Sequence, residues 1–281
     1  MKMRFGFSSA PDGGVMFCGL ATGKVDAGGL DIELVSAPLS ALNDRASRGE
    51  LEATMISAAA YPYLRGRYVL ARCGASFARG RGPVLAAREP IAESRLARAR
   101  VAVPDSTSSA TVALQLSRPG VRTHLLPADK IAQAAKMGLA DCALLLDGDS
   151  ETCQRSGLYC VADLALGWAK TTGDLPLPLT CLAIRSDLAP PVRLEIEQLV
   201  AASVRYALDH RAEAVRFAAC CARSGSAGSA ETDDAHLGSN VGESTLRMGQ
   251  ADLRALEEFL RLGCEAQLMP NALPLELVGE A

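Results

Sequence analysis

The sequence predicts an α/β protein built in two lobes, and two observations lead there. Strand-like and helix-like segments alternate along nearly the whole chain, the pattern of sheets covered by helices. In addition, Gly82-Pro83-Val84-Leu85-Ala86-Ala87-Arg88 and Pro178-Leu179-Thr180-Cys181-Leu182-Ala183-Ile184-Arg185 look alike, each an apolar strand introduced by proline and closed by arginine. The stretch between them amounts to one small domain. A chain that leaves a first lobe near residue 86, builds a second and returns near residue 183 accounts for both. The expected division is 1–86 with 184–281 for the larger, discontinuous lobe and 87–183 for the smaller. A ligand cleft then lies between the lobes, with the two crossover strands as its hinge. The competing architecture is one continuous doubly wound sheet.

Taken in order, the elements read as follows. Met1-Lys2-Met3-Arg4-Phe5-Gly6-Phe7 is strand-like, and Gly13-Gly14 opens the helix after it. Residues 32–35 form a strand, 39–48 a helix, 54–56 a strand, 58–63 a short helix and 68–71 another strand. Val101-Ala102-Val103 is a strand that runs through Pro104 into Asp105-Ser106-Thr107-Ser108-Ser109-Ala110 and then a helix. Residues 124–126 read as a strand, 128–137 as a helix and 143–146 as a buried strand. A long helix spans 192–210, with Ile196, Leu199, Val200, Val204 and Leu208 at helical spacing. A second amphipathic helix spans 250–262 and is expected to stop at Gly263, a suitable left-handed cap. The Ser/Gly-rich stretch 223–230 is expected to be a surface loop and no domain boundary.

Composition narrows the function classes. At 281 residues the chain can bury a real core, and a net charge of −3 gives no basic footprint for nucleic acid. No apolar run reaches the length of a membrane span. The N-terminus lacks the apolar stretch and cleavage site of a signal peptide, so a cytoplasmic location is expected. The nine cysteines are scattered, odd in number and without C-x-x-C spacing, which disfavours a disulfide framework or zinc site. Cys142 and Cys181 sit in apolar runs, where a thiol acts as a small hydrophobe. His124, His210 and His236 are too dispersed to suggest a metal cluster and read as surface or capping residues. No metal and no cofactor are expected.

In open α/β sheets ligands gather beyond the carboxyl ends of strands, and reading off those ends yields a consistent set of candidates. Ser8, Ser9 and Asp12 follow the first strand, Ser57 follows Met55-Ile56, and Thr107, Ser108 and Ser109 follow Val101-Ala102-Val103. Asp147, Gly148 and Asp149 follow Leu144-Leu145-Leu146, and Asn43 on the second helix can face the cleft. The turn at 105–110 presents unpaired backbone N–H groups, hydroxyl donors and a positive dipole end together, which suits a carboxylate; by itself it fits an ordinary helix cap equally well. Asp147 is the candidate base. An unperturbed Asp, with a pKa of about 3.9, is a weak base unless its site is dry, and a strand-end carboxylate also fits a solvated turn.

These residues resemble 1,4-dihydroxy-6-naphthoate synthase of the futalosine route to menaquinone, grouped with its sibling chorismate dehydratase. The likeness covers nearly the whole chain. It is carried by Ser8-x-x-Pro11 with Phe17, Asn43 before Arg48-Gly49-Glu50-Leu51, Ser57-Ala58-Ala59-Ala60-Tyr61, Arg67-Tyr68, Gly80-Arg81-Gly82-Pro83 and Val101-Ala102-Val103-Pro104. It continues through Gly157-Leu158, Asp163-Leu164, Leu175-Pro176-Leu177-Pro178-Leu179 and Tyr206-Ala207-Leu208. The resemblance implies a type II periplasmic-binding-protein-like fold with two crossover strands. It also implies an enzyme that takes a proton from cyclic dehypoxanthinylfutalosine, releasing the dihydroxynaphthoate and a sugar-derived three-carbon fragment. In that family paired threonines at the helix start hold the carboxylate, and Ser108 and Ser109 stand in those places here. The family's proton acceptor is a histidine after the strand matching Leu144-Leu145-Leu146, where this chain has Asp147. The opening turn also departs, reading Asp12-Gly13-Gly14 where the family favours Asn-Asp-Thr. Three readings follow. Asp147 is a base retuned by desolvation for the same reaction, or the fold serves a related lyase or dehydratase reaction on another aromatic acid, or the protein only binds such a carboxylate.

Overall fold

The structure is a computed structural model that describes residues 2–80, 82–148, 150–224 and 239–280, with side chains described for all of these except 147, 148, 150–152, 223 and 224. The chain first forms β1 (Lys2–Ser8), α1 (Pro11–Ala21), β2 (Asp31–Ala37), α2 (Leu39–Ser47), β3 (Ala53–Ser57), a 3-10 turn (Ala58–Ala60), α3 (Tyr61–Leu64), β4 (Tyr68–Leu70) and β5 (Ser76–Ala78). Next come β6 (Gly82–Ala87), α4 (Glu93–Leu96), β7 (Arg100–Val103), α5 (Ser109–Ser117), β8 (Arg122–Leu125) and α6 (Ala128–Lys136). These are followed by β9 (Cys142–Gly148), α7 (Ser150–Arg155), β10 (Tyr159–Asp163) and α8 (Leu164–Thr172). Finally β11 (Leu177–Arg185) leads to α9 (Pro190–Asp209), α10 (Arg211–Ser224), α11 (Glu243–Leu246) and α12 (Gln250–Glu265).

Two sheets result. The first has the order β2-β1-β3-β11-β4, with β5 also pairing β11; the second has the order β10-β6-β9-β7-β8. Strands β1, β2 and β3 are mutually parallel, whereas β11 enters antiparallel to β3, β4 and β5. The chain thus crosses between sheets twice, once before β6 and once before β11. Sheet membership changes a few residues ahead of the 86/87 and 183/184 boundaries read from sequence. The ladders explain the difference: Gly82–Ala87 pairs only with β9 and β10, and Leu177–Arg185 only with first-sheet strands.

Both crossover prolines sit where a ladder is irregular. Register shifts between Gly82 and Val84 in β6, and between Pro178 and Thr180 in β11. A residue without an N–H is tolerated at such a break. Other expectations shift slightly. The long helix starts at Pro190, whose fixed φ suits a first helical position. Gly263 is not a left-handed cap: α12 continues to Glu265, and Gln267, at φ 58°, is the left-handed residue. Gly263 instead allows close packing, since a Cβ there would lie 2.6 Å from Met269 Cε. The Ser/Gly-rich stretch lies mostly outside the described residues, as do His236, Arg81 and Asp149, and α10 runs through Ser224 at its start.

One apolar core fills the first lobe between its sheet and α1, α9 and α10, with Phe5, Met16, Leu42, Leu51 and Val204 at its centre and Phe7 stacked on Phe17 at 5.3 Å. A second core runs continuously from first-sheet residues (Tyr61, Tyr68, Cys181) to second-sheet residues (Leu85, Val101, Leu144), with Trp168 of α8 edge-on to Phe259 of α12 at 5.8 Å. Cys142 and Cys181 lie in this core as their apolar context predicts, and burial pushes the Cys142 thiol up to about 11.

A single buried carboxylate ties three strands of the first sheet. Glu52, 3% exposed, accepts the Arg4 amide at 2.7 Å, Arg4 Nη2 at 3.3 Å and Arg185 Nη1 at 3.2 Å. Burial raises its pKa, but the Arg4 amide and the two guanidinium groups outweigh that and hold it below the usual carboxylate range. A depressed carboxyl pKa contributes stability that is present above the unfolded value of about 4.3 and is lost as pH falls through the folded value. Glu52→Gln is therefore expected to lower unfolding free energy at neutral pH by about 1–3 kcal/mol, with the half-exposed arginines limiting the loss. It should also flatten the fall in stability below about pH 4.3. Urea melts across pH 3–7 check both, and a parallel acid limb in the variant would contradict the assignment.

Candidate functional site

The first lobe contributes three strand-end groups. At the end of β1, Ser8 Oγ accepts the Ala10 amide at 3.1 Å and turns the chain into α1, while the Ser9 amide donates to the Ala37 carbonyl at the end of β2, 2.9 Å away. Ser9 is buried there. Asp12 lies in the first turn of α1, where the helix dipole favours a carboxylate. Gly13 permits this tight junction: a Cβ would stand 2.2 Å from the Ser8 carbonyl oxygen. At the end of β3 the Ser57 amide donates to Asn43 Oδ1 on α2 at 3.0 Å.

The second lobe contributes the turn after β7. Asp105 organises it by accepting the Thr107 amide at 2.9 Å and the Thr107 hydroxyl at 3.0 Å. The Asp105 carbonyl accepts Thr111 Oγ1 at 2.7 Å, which anchors the first turn of α5. Ser108 caps α5 by position, its carbonyl accepting the Val112 amide at 3.0 Å, but its side chain makes no capping bond.

Ser109 joins the two halves. Its amide donates to Ser57 Oγ at 2.8 Å, the two hydroxyls lie 2.9 Å apart, and Ser109 Oγ also contacts the Leu179 carbonyl at 2.8 Å and the Ala59 amide at 3.3 Å. The protons can be placed. A carbonyl only accepts, so the Ser109 hydroxyl donates to Leu179, and Ser57 must donate to Ser109. Each hydroxyl then accepts and donates. Ser57 is 1% exposed and Ser109 3%. The three hydroxyls expected to act together at this corner are therefore divided: Thr107 serves the turn, Ser109 holds the lobes together, and Ser108 alone has its hydroxyl uncommitted among the described residues.

Asp147 is the penultimate residue of β9, where the sequence expected it to follow the strand. The ladder to β6 extends as far as Gly82 opposite Gly148, which lengthens β9 by two residues beyond Leu146. The Asp147 side chain lies outside the described residues. His124 is exposed on β8, and His210 closes α9 with Nδ1 3.0 Å from the Tyr206 carbonyl, stacked on Tyr206 at 4.2 Å. Among the described residues no group of three or more His, Cys, Asp and Glu side chains could hold a metal ion, and no helix is long and apolar enough to cross a membrane. Sequence reasoning missed three participants. Asp105 was legible as an Asp two residues before a Thr, the pattern of an Asx turn. The Leu179 carbonyl and the Ala59 amide carry no sequence signal, because their roles come from strand pairing.

The architecture and this corner define a class, the two-lobe periplasmic-binding-protein-like fold. The aliphatic sulphonate binding protein of Escherichia coli shares it with a TM-score of 0.65 at 11% identity, covering 95% of this chain and 88% of that one. A Candida albicans protein with the generic periplasmic binding protein fold matches with a TM-score of 0.70 at 12% identity, over 94% and 90% of the two chains. A protein of Archaeoglobus fulgidus matches with a TM-score of 0.86 at 31% identity, over 95% and 98%. Within that class, the family described as menaquinone biosynthesis matches residues 3–265. The 1,4-dihydroxy-6-naphthoate synthase of Thermus thermophilus is 34% identical over 272 residues, 97% of this chain and 96% of its own. The Streptomyces coelicolor protein of the same name is 30% identical over 274 residues, 95% of each. The chain belongs to the menaquinone biosynthesis family.

If the serine pair couples the lobes, Ser57→Ala and Ser109→Ala should each cost about 1–3 kcal/mol, because each leaves a buried partner unpaired. The double variant should cost less than their sum by about 0.5 kcal/mol or more. Strict additivity in chemical denaturation would show that the two hydroxyls do not act on each other.

Proposed function

We propose that the protein is a lyase of the 1,4-dihydroxy-6-naphthoate synthase type. It abstracts a proton from cyclic dehypoxanthinylfutalosine and releases 1,4-dihydroxy-6-naphthoate with a sugar-derived three-carbon fragment. Similarity along the full chain to two proteins of that name supports the class of reaction. The observation that carries the site reading is the uncommitted Ser108 hydroxyl at the cap of α5. A hydroxyl donor set at the positive end of a helix suits the substrate carboxylate, and its neighbours' bonds fix the helix that presents it. Thr107 supports this donor through the Asp105 turn, and Ser9, Asp12 and Ser57 form the facing wall.

The proton acceptor in this reading is Asp147, near the end of β9, the strand that pairs with β7 in the second sheet. A carboxylate acts as a base near neutral pH only when desolvation raises its pKa by a few units. Binding of the flat aromatic substrate between the lobes supplies such drying.

Single-turnover and steady-state assays with cyclic dehypoxanthinylfutalosine test both roles. Asp147→Asn is expected to lower kcat by about 100-fold or more, the usual contribution of a positioned base. Ser108→Ala is expected to raise KM about 10-fold or more with a smaller effect on kcat, the loss of one hydrogen bond to a charged group. Unchanged kcat in Asp147→Asn would remove it as the base. Tight binding of 1,4-dihydroxy-6-naphthoate without any turnover by the unaltered protein would leave a binding protein in place of the lyase.

A further inference from the structure

The corner contains a buried polar atom that nothing among the described residues satisfies. Asn43 is 7% exposed, and while its Oδ1 accepts the Ser57 amide at 3.0 Å, its Nδ2 has no hydrogen-bond partner among the described residues. The carboxamide cannot be turned over to cure this. Exchanging oxygen and nitrogen would set Nδ2 against the Ser57 N–H, two donors face to face. Nδ2 is therefore held beside Ser57 as a donor with its protons unspent.

A buried unpaired donor is destabilising, and an apolar side chain on α2 would avoid that cost. Its position distinguishes it from a packing flaw. The Ser57 amide that orients Asn43 belongs to the same residue whose hydroxyl accepts Ser109 at the start of α5. The other buried atom left unpaired among the described residues, Arg118 Nε, lies at the far end of α5, and its guanidinium pairs with Glu93 through Nη2 at 3.2 Å. Of these two buried unpaired atoms, Asn43 Nδ2 is the one at the cleft corner.

We infer that Asn43 is a ligand-contacting residue whose Nδ2 donates to an oxygen of the bound aromatic acid, fixing that acid against the end of β3. The assignment rests on the proposed function for the class of ligand and adds a first-lobe contact to the Ser108 contact of the second lobe. A ligand held from both sides favours the closed arrangement of the lobes, since each contact is complete only when the other lobe is in place.

The chain has three asparagines, Asn43, Asn240 and Asn271, so protein labelled with 15N in asparagine shows three side-chain amide pairs. Saturation with 1,4-dihydroxy-6-naphthoate is expected to shift the Asn43 pair and leave the other two in place. Asn43→Asp keeps an oxygen for the Ser57 amide and loses the donor. It should weaken binding of the same probe at least tenfold by calorimetry while the melting temperature stays close to that of the unaltered protein. If the variant does not fold, the spectrum of the unaltered protein decides alone. Binding of the probe with an unmoved Asn43 pair overturns the inference and leaves the proposed function standing. Absence of both binding and turnover in the unaltered protein overturns the proposed function, and the inference with it.

Discussion

The register of β11 against β3 is the constraint on which the rest of the corner depends. Thr180 pairs with Ser57, which sets the Leu179 carbonyl beside the end of β3. Ser109 reaches that carbonyl and the Ser57 hydroxyl together, so the start of α5 is located by a strand that arrives from more than 60 residues further along the chain. A slip of one residue in β11 would turn its side chains to the opposite face and move the carbonyl away from Ser109. The buried side chains of β11, Cys181, Leu182 and Ile184, resist such a slip because they fill the cores on either side of the sheet. Apolar packing thus determines where a set of polar bonds can form.

Those polar bonds separate holding from binding. Ser57, Ser109, Thr107 and Asp105 spend their hydrogen-bonding capacity on one another and on the backbone. Buried polar groups that are fully paired stiffen a junction, and a partly paired group marks where a partner is expected. Among the described residues Ser108 and Asn43, one from each lobe, bring unspent donors to the two sides of the Ser57–Ser109 contact. They flank the Ser57–Ser109 contact through adjacent chain and a direct hydrogen bond. The pair at the centre keeps the two donors at a defined separation, which the proposed recognition of a flat acid requires.

Much of the fold was legible because it follows from periodicity. The helices at 39–47 and 190–209, the strands at 53–57 and 142–148, and the two look-alike crossovers all stand out as runs of apolar residues at a fixed spacing. Short elements such as β5, β10 and α11 were not visible, being three to five residues long and stabilised by neighbours distant in sequence. Gly263 misled for a related reason. A glycine after an amphipathic run suits a left-handed cap, but only the contact with Met269 reveals that it serves close packing. At the site, strand ends and hydroxyl-rich turns pointed to Ser57 and Ser109, which the fold brings into hydrogen-bond contact, and Asn43 of α2 accepts the Ser57 amide. The division of labour among them could not be read, since it depends on which carbonyl β11 brings to Ser109.

Under the proposed mechanism, the carboxylate at position 147, where the family resemblance implies an imidazole, ties chemistry to this geometry. A neutral imidazole has a pKa of about 6.5 and can accept a proton while still partly wet. An aspartate in water is too weak a base, and only exclusion of water brings it into range. Under that proposal, proton transfer depends on lobe closure more steeply than it would with histidine, because closure supplies both the orientation and the basicity. In the same proposal the serine pair that joins β3 to α5 bears on the rate as well as on stability. A weakened junction would admit water, return the carboxylate toward its ordinary pKa and slow the reaction even with every contact to the substrate carboxylate preserved.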